Sequence, residues 1–159
     1  MSTVKSFEES LCWQEARALV KQIYTLTKKP VFKQDYGLRD QIQRAAVSVM
    51  SNIAEGLERG TGLELLHFLY IAKGSAGEVR CQLYVAVDQG YAANEEFQSL
   101  KSQSLKVSKL LYNFIESVKN SKFKGLKFKK EKKDNLKQEL LEIIKQENPA
   151  LYEQYYKGS

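Results

Sequence analysis

Residues 61–90 read TGLELLHFLYIAKGSAGEVRCQLYVAVDQG, and this stretch decides the fold. Leu65, Leu69, Ala72, Ala76, Val79, Leu83 and Ala86 recur at alternating steps of three and four, the interval at which side chains share one face of an α-helix. Ahead of them, Thr61 and Glu64 have the spacing of a capping box, in which hydroxyl and carboxylate satisfy the first free amides of the helix. Behind them, Gly90 is a stop, because glycine readily takes the left-handed conformation that closes a helix.

The flanking sequence repeats the pattern. A first helix over about residues 8–28 carries Cys12, Ala16, Leu19, Ile23 and Leu26 on one seam, with Trp13, Val20 and Tyr24 widening the apolar stripe beyond a coiled-coil face. Pro30 is expected to end it. A second helix, about 38–57, turns Leu38, Ile42, Ala45, Val49 and Ile53 inward before a turn at Gly60 and Gly62. After the helix of 61–90, Asn94 is the expected cap of a fourth, running Phe97, Leu100, Ser104, Val107, Leu111, Phe114 and Val118. Helices of roughly 20 to 27 residues each span about 30 to 40 Å at ~1.5 Å per residue. Short loops make sequential neighbours antiparallel. The expected fold class is therefore all-α: an antiparallel up-down-up-down four-helix bundle over residues 1–118, with a C-terminal helical extension.

Residues 119–159 are a different kind of sequence. The chain has 25 basic and 19 acidic residues, a net charge of +6, and the segment 119–137 alone holds nine lysines against Glu131 and Asp134. The basicity thus belongs to the tail. A lysine run is commonly a solvated linker, and polyanion binding is its commonest functional use. Beyond it Leu136, Leu140, Ile143 and Ile144 have helical spacing, and Asn148 with Pro149 supply a cap and first-turn proline for a short last helix.

Composition bounds the rest. A chain of 159 residues holds one compact core. Its two cysteines, Cys12 and Cys81, both fall in apolar helical patterns, so buried free thiols in a reducing compartment are expected, and with them a cytoplasmic location. The N-terminus reaches acidic residues before any apolar run and no stretch has spanning length, so neither export nor a membrane partner is expected. Glu64 and His67 form a Glu-x-x-His pair, but di-iron bundles need two such pairs and further glutamates, and this chain has one histidine. No phosphate-binding loop, dinucleotide glycine pattern or nucleophile elbow occurs. The expectation is no catalysis, no metal and no cofactor.

The unusual feature is the polar side of the second helix. Gln41, Arg44, Ser48, Asn52, Glu55 and Arg59 form one stripe beside its apolar seam, with small residues at the middle. The third helix answers with Gly74, Ser75, Ala76 and Gly77, then Glu78 and Gln82. Helical glycines cost about 1 kcal/mol each relative to alanine, which suggests close packing that offsets the penalty. Within one chain these groups can simply satisfy one another; alternatively, part of the stripe forms a subunit interface.

WQEA (13–16), IYTLT (23–27), YGLRDQIQRAAVSVMSNIAEG (36–56), FLYIAKGSAGEVRCQL (68–83) and the pair Gly90-Tyr91, in that order, resemble the bacterial four-helix-bundle family of 23S rRNA intervening-sequence proteins. The resemblance implies a homopentameric barrel of bundles, with relatives acting as accessory proteins that bind nucleic acid and a reverse transcriptase in diversity-generating retroelements. On this resemblance Ser48, Asn52, Glu55, Gly56, Arg59, Gly74, Ser75, Glu78 and Gln82 are signature positions assigned to packing and assembly. Met50 stands where the family commonly has proline, which implies a straighter second helix. The candidate nucleic-acid contacts are Arg17, Lys21 and Lys28 on the first helix, then Arg39, Arg44, Lys73 and Arg80, and the tail's Lys122, Lys124, Lys127, Lys129 and Lys130, which interleave with Phe123 and Phe128. The expected function is non-catalytic oligomeric binding of nucleic acid, RNA favoured, with or without a protein such as a reverse transcriptase. The alternative is a protein-directed scaffold that docks its partner through the tail.

Overall fold

The computed structural model describes residues 6–120 and Lys145. The tail lysines 122–130, the apolar positions 136–144 and the last helix expected after Pro149 lie outside the described residues. The chain divides into two units, Met1–Phe123 and Lys124–Ser159, and the helical bundle is the first of them.

A single 3-10 turn, Phe7–Glu9, leads into α1 (Leu11–Thr27), the short α2 (Pro30–Lys33), α3 (Tyr36–Glu58), α4 (Gly62–Asp88) and α5 (Asn94–Asn120). Around the bundle the order is α1, α3, α4, α5, with α5 closing on α1. Cross-helix bonds fix the directions. Gln43 donates to Thr27 at 2.7 Å, Ser48 meets Ser75 at 2.9 Å, Arg80 donates to Ser108 at 2.6 Å, and Gln103 donates to Glu15 at 2.9 Å while Lys29 pairs with Glu96. Every adjacent pair of long helices is antiparallel, the up-down-up-down bundle the spacing predicts. Leu19, Ile23, Ile42, Val49, Ile53, Leu69, Val79, Leu83, Val107, Leu111 and Ile115 fill the core, each fully buried. Removing such side chains from water contributes roughly 1.5–3 kcal/mol apiece, set against the entropy of ordering the chain.

The predicted helix signals on α4 are present. The Thr61 hydroxyl accepts from the Glu64 amide at 3.2 Å and donates to the Glu64 carboxylate at 2.7 Å. Gly90 has φ +72°, with the Tyr91 amide donating to the Ala86 carbonyl at 2.8 Å and the Gly90 amide to Val87 at 3.0 Å, the paired bonds of a Schellman stop. Tyr91 then stacks on the buried Phe32 of α2, ring centres 5.0 Å apart, so this turn closes one end of the core.

Other boundaries differ from those that spacing predicts. α1 starts at Leu11, not near residue 8, because Ser10 is extended and the preceding residues form the 3-10 turn. Pro30 does not end α1, which stops at Thr27; it opens α2, where its missing amide has no intrahelical partner to lose. α3 begins two residues earlier than expected, since the Asp35 carboxylate caps the Leu38 amide at 2.9 Å. Asn94 is the first helical residue of α5 and not its cap; the Glu96 carboxylate there accepts from the Ala93 amide at 2.9 Å. Late in α5 it is Ile115 that enters the core, with Phe114 and Val118 half-buried at its margin. Cys81, expected buried, is exposed, whereas Cys12 is buried and its thiol is pushed up to about 12 by that burial.

Candidate functional site

Three surfaces of the bundle carry the residues that the sequence singles out. The first is the α3–α4 seam, the most extensive helix contact. Its centre is the Ser48–Ser75 hydroxyl pair, and the Asn52 amide donates to both the carbonyl and the hydroxyl of Ser48, at 2.7 and 3.0 Å. Toward the Gly60 turn the helices come closest at Gly56, where an added Cβ would stand 3.0 Å from the Phe68 Cβ and 3.1 Å from Leu65 Cδ1. Arg59 binds Glu55 at 2.5 Å, which raises the guanidinium pKa further, and its guanidinium lies 5.2 Å over the Phe68 ring. At the other end Gln82 donates to Glu78 at 3.1 Å while its own Oε1 is buried without a partner. A cavity of about 400 Å³ opens there between Gln41, Arg44, Ala45, Ser48 and Glu78.

One element of the expected close packing is absent from this seam. Ser75 and Ala76 are buried, but Gly74 is exposed with nothing within 4 Å of an added Cβ, and Gly77 meets only the end of Arg80 at 3.8 Å. Within the monomer these two glycines therefore bring no helices together. They lie on the outward side of α4, where Leu63, Tyr70, Ile71, Cys81, Tyr84 and Val85 are also exposed. An ordinary surface helix turns charged residues to water; α4 is apolar on most of its circumference.

The second surface is the outer side of α1. Arg17, Lys21 and Lys28 are exposed, and no carboxylate among the described residues lies in ion-pair reach of them. Arg17 sits 5.8 Å over the Trp13 ring. Arg39 and Arg44 stand apart from these on α3: Arg39 covers the Tyr36 ring at 4.8 Å and donates to the Lys33 carbonyl, and Arg44 pairs loosely with Asp40 at 3.6 Å.

The third surface is the α4–α5 face, of which the sequence singles out only Lys73 and Arg80. Lys73 lies 5.8 Å over the Tyr112 ring and Arg80 donates to Ser108. On either side of them Lys119 covers Tyr70 at 5.6 Å, and Lys101 covers Tyr84 at 5.3 Å. Lys119 is held protonated to higher pH by its hydrogen bonds with Tyr70 and then Glu116. The register of α5 against α4 creates this row. It could be found in sequence only by pairing residues some 17 to 49 positions apart on two antiparallel helices.

A family model for 23S rRNA-intervening sequence protein matches residues 8–113, two-thirds of the chain and all of the bundle up to late α5. The chain belongs to the 23S rRNA-intervening sequence protein family. Among solved structures, one from the S23 ribosomal protein family of Bacteroides thetaiotaomicron, a protein of unknown function, superposes with a TM-score of 0.62. At 24% identity, over 66% of this chain and 98% of that one, it supports the fold. No curated protein matches the sequence significantly.

In this member of the intervening-sequence family the signature positions divide. Ser48, Asn52, Gly56 and Ser75 sit in the α3–α4 seam, which is a structural task. Gly74 has no such task in the monomer. Family membership assigns no reaction. Among the described residues no three His, Cys, Asp or Glu side chains gather as a metal site requires, and Glu64 is engaged by Thr61 at the start of α4. Nor is any described helix long and apolar enough to cross a membrane.

Proposed function

We propose that this protein is a non-catalytic, self-associating bundle that binds nucleic acid, with RNA the favoured ligand. The observation that carries the reading is the distribution of charge in the bundle. Glu15, Glu55, Glu96 and Glu116 are each paired with a lysine or arginine, whereas Arg17, Lys21 and Lys28 stand exposed on one side of α1 with no carboxylate among the described residues in ion-pair reach. Such cations attract phosphates and displace the counterions condensed on a nucleic acid. Self-association is supported by Leu63, Ile71 and Val85, exposed apolar residues of α4 that are unusual for a surface helix. A pentameric ring, as the family resemblance implies, would multiply each modest patch into a strong field, and a reverse transcriptase is the protein partner the same resemblance suggests.

The test is direct. Purified full-length protein is titrated into labelled RNA across a salt series, and its mass in solution is measured at the same concentrations. Binding should weaken steeply as salt rises, because each neutralised phosphate releases a counterion. A protein that stays monomeric and shows no salt-sensitive RNA binding refutes the proposal.

A further inference from the structure

The α4–α5 face places aromatic rings and cations in one row. From one end it runs Lys119 on Tyr70, Lys73 on Tyr112, Arg80 on Ser108 and Lys101 on Tyr84. Tyr70, Tyr112 and Tyr84 are 48, 53 and 47% exposed respectively, so each ring keeps much of its area open to solvent although a cation lies against it. About half of each ring is packed on the bundle, and the other half is free for a ligand. Between them the floor of the row is helix backbone at Gly74 and Gly77, with open space over Gly74. Glu116 is bonded to Lys119 within the row, and the exposed Asp88 lies one turn beyond Tyr84 at its far end.

We propose that this face is the docking surface for single-stranded RNA, with bases stacking on Tyr70, Tyr112 and Tyr84 and phosphates held by the intervening cations; this rests on the nucleic-acid reading above and gives it a place on the molecule. Three arguments favour that occupant. Every base has a π-face, so half-open tyrosines hold bases without selecting sequence. The charge of Lys73, Arg80, Lys101 and Lys119 is complementary to a phosphate backbone. The two glycines leave room for a strand to lie close against the helix where any side chain would lift it. From Tyr70 to Tyr84 the row is about 21 Å long at ~1.5 Å per residue, the length of on the order of six nucleotides stacked at ~3.4 Å. A duplex buries its base faces and could use only the cations.

The row makes two separable contributions, and the experiment reads them separately. Full-length protein is titrated with fluorescent oligouridine RNA, the same length of oligothymidine DNA and an RNA duplex, each over a range of salt. Replacing Tyr70, Tyr112 and Tyr84 by alanine should weaken single-stranded binding about fivefold or more per stacked base, leave the salt slope unchanged, and leave duplex binding unaffected. The three Tyr→Phe replacements keep the rings and should bind as the original does. Replacing Lys73, Arg80, Lys101 and Lys119 by alanine should instead lower the magnitude of the log–log salt slope by about 3, at ~0.7 per phosphate contact. Circular dichroism and thermal unfolding on each variant exclude loss of the fold, and the single Tyr→Ala variants serve where the triple set unfolds, each expected to lose about fivefold or more in single-stranded binding. If RNA binds but is insensitive to all these changes and is lost on replacing Arg17, Lys21 and Lys28, the binding function stands and this site is overturned. If the tyrosine variants lose self-association and keep RNA affinity, the face belongs to a second copy and the proposal is equally overturned. Equal binding of oligothymidine and oligouridine, weakened equally by these changes, would overturn the assignment to RNA.

Discussion

Two glycine-to-alanine substitutions, eighteen positions apart in the sequence, should differ in their effect on stability, one raising it and the other not. Gly74 and Gly56 both lie inside helices, where replacing glycine by alanine gains about 0.8–1.0 kcal/mol from the restricted backbone of the unfolded chain and better helix propensity. At Gly74 nothing lies within 4 Å of the new methyl group, so the whole gain should appear. At Gly56 the methyl would stand 3.0 Å from Phe68 Cβ, 3.1 Å from Leu65 Cδ1 and 3.4 Å from the Leu65 carbonyl. Leucine's methyl can rotate away, but a Cβ is fixed to the backbone of α4, so relief requires the two most closely packed helices to separate. Overpacking of that kind costs about 1–3 kcal/mol, which leaves Gly56→Ala neutral to about 2 kcal/mol destabilised. The two variants should thus differ by about 1–3 kcal/mol, or several degrees in unfolding midpoint at about 2–4 °C per kcal/mol for a chain of this size. The measurement is urea or thermal unfolding at dilutions where the midpoint no longer depends on protein concentration, so that association does not contribute. A Gly56→Ala protein as stable as Gly74→Ala would refute the account of the α3–α4 contact. A Gly74→Ala monomer less stable than the original would refute the claim that this part of α4 is open.

The polar contacts lead to further expected outcomes. Ser48→Ala should destabilise by about 1–3 kcal/mol, because it leaves the buried Ser75 hydroxyl without its cross-helix partner, while the Ser48→Ala, Ser75→Ala double variant should recover most of that loss; a double-mutant cycle with no coupling would contradict the pairing. Acid should weaken the bundle through Glu15 and Glu96, whose carboxyls are held below the ordinary 4.5 by hydrogen bonds, first from Lys106 and first from Lys29 respectively. Because both folded values lie below the unfolded one, their stabilisation is complete above the ordinary carboxylate range and is lost as pH falls through the lowered values. Unfolding measured between about pH 6 and about pH 3 should therefore be less pH-dependent in a Glu15→Gln, Glu96→Gln variant; the difference will be small, since both groups are partly open to solvent.

The bundle was legible because its physics is periodic. Leu65 to Ala86, Ile42 to Ile53 and Phe97 to Leu111 mark their core faces by spacing alone, and Thr61, Gly60 and Gly90 mark where helices turn. Boundaries set by a single side chain were harder, as Asp35 at α3 and Glu96 at α5 demonstrate, since a cap is chosen by local geometry among several polar neighbours. Cys81 misled for a different reason: on a helix that is apolar almost all round, an apolar residue one step off the seam has the same neighbours in sequence as a buried one. Gly74 misled similarly, because a glycine inside a helix marks that room is needed without saying on which side. The tyrosine row could not be read at all from one helix. Tyr70, Tyr84 and Tyr112 acquire their cations only when α5 is laid against α4 in one register.

The two thiols turn this chain into its own stopwatch and lookout. Cys81, exposed on the outward side of α4, is open to a maleimide or an alkylating reagent while the fold is intact. Cys12 is buried and its thiolate is suppressed by that burial, so it reacts much more slowly than Cys81 until the helices around it open. Counting single against double labels over time therefore clocks unfolding without an added probe. A single label on Cys81 reports whatever comes to cover α4, be it a second copy or a nucleic acid strand.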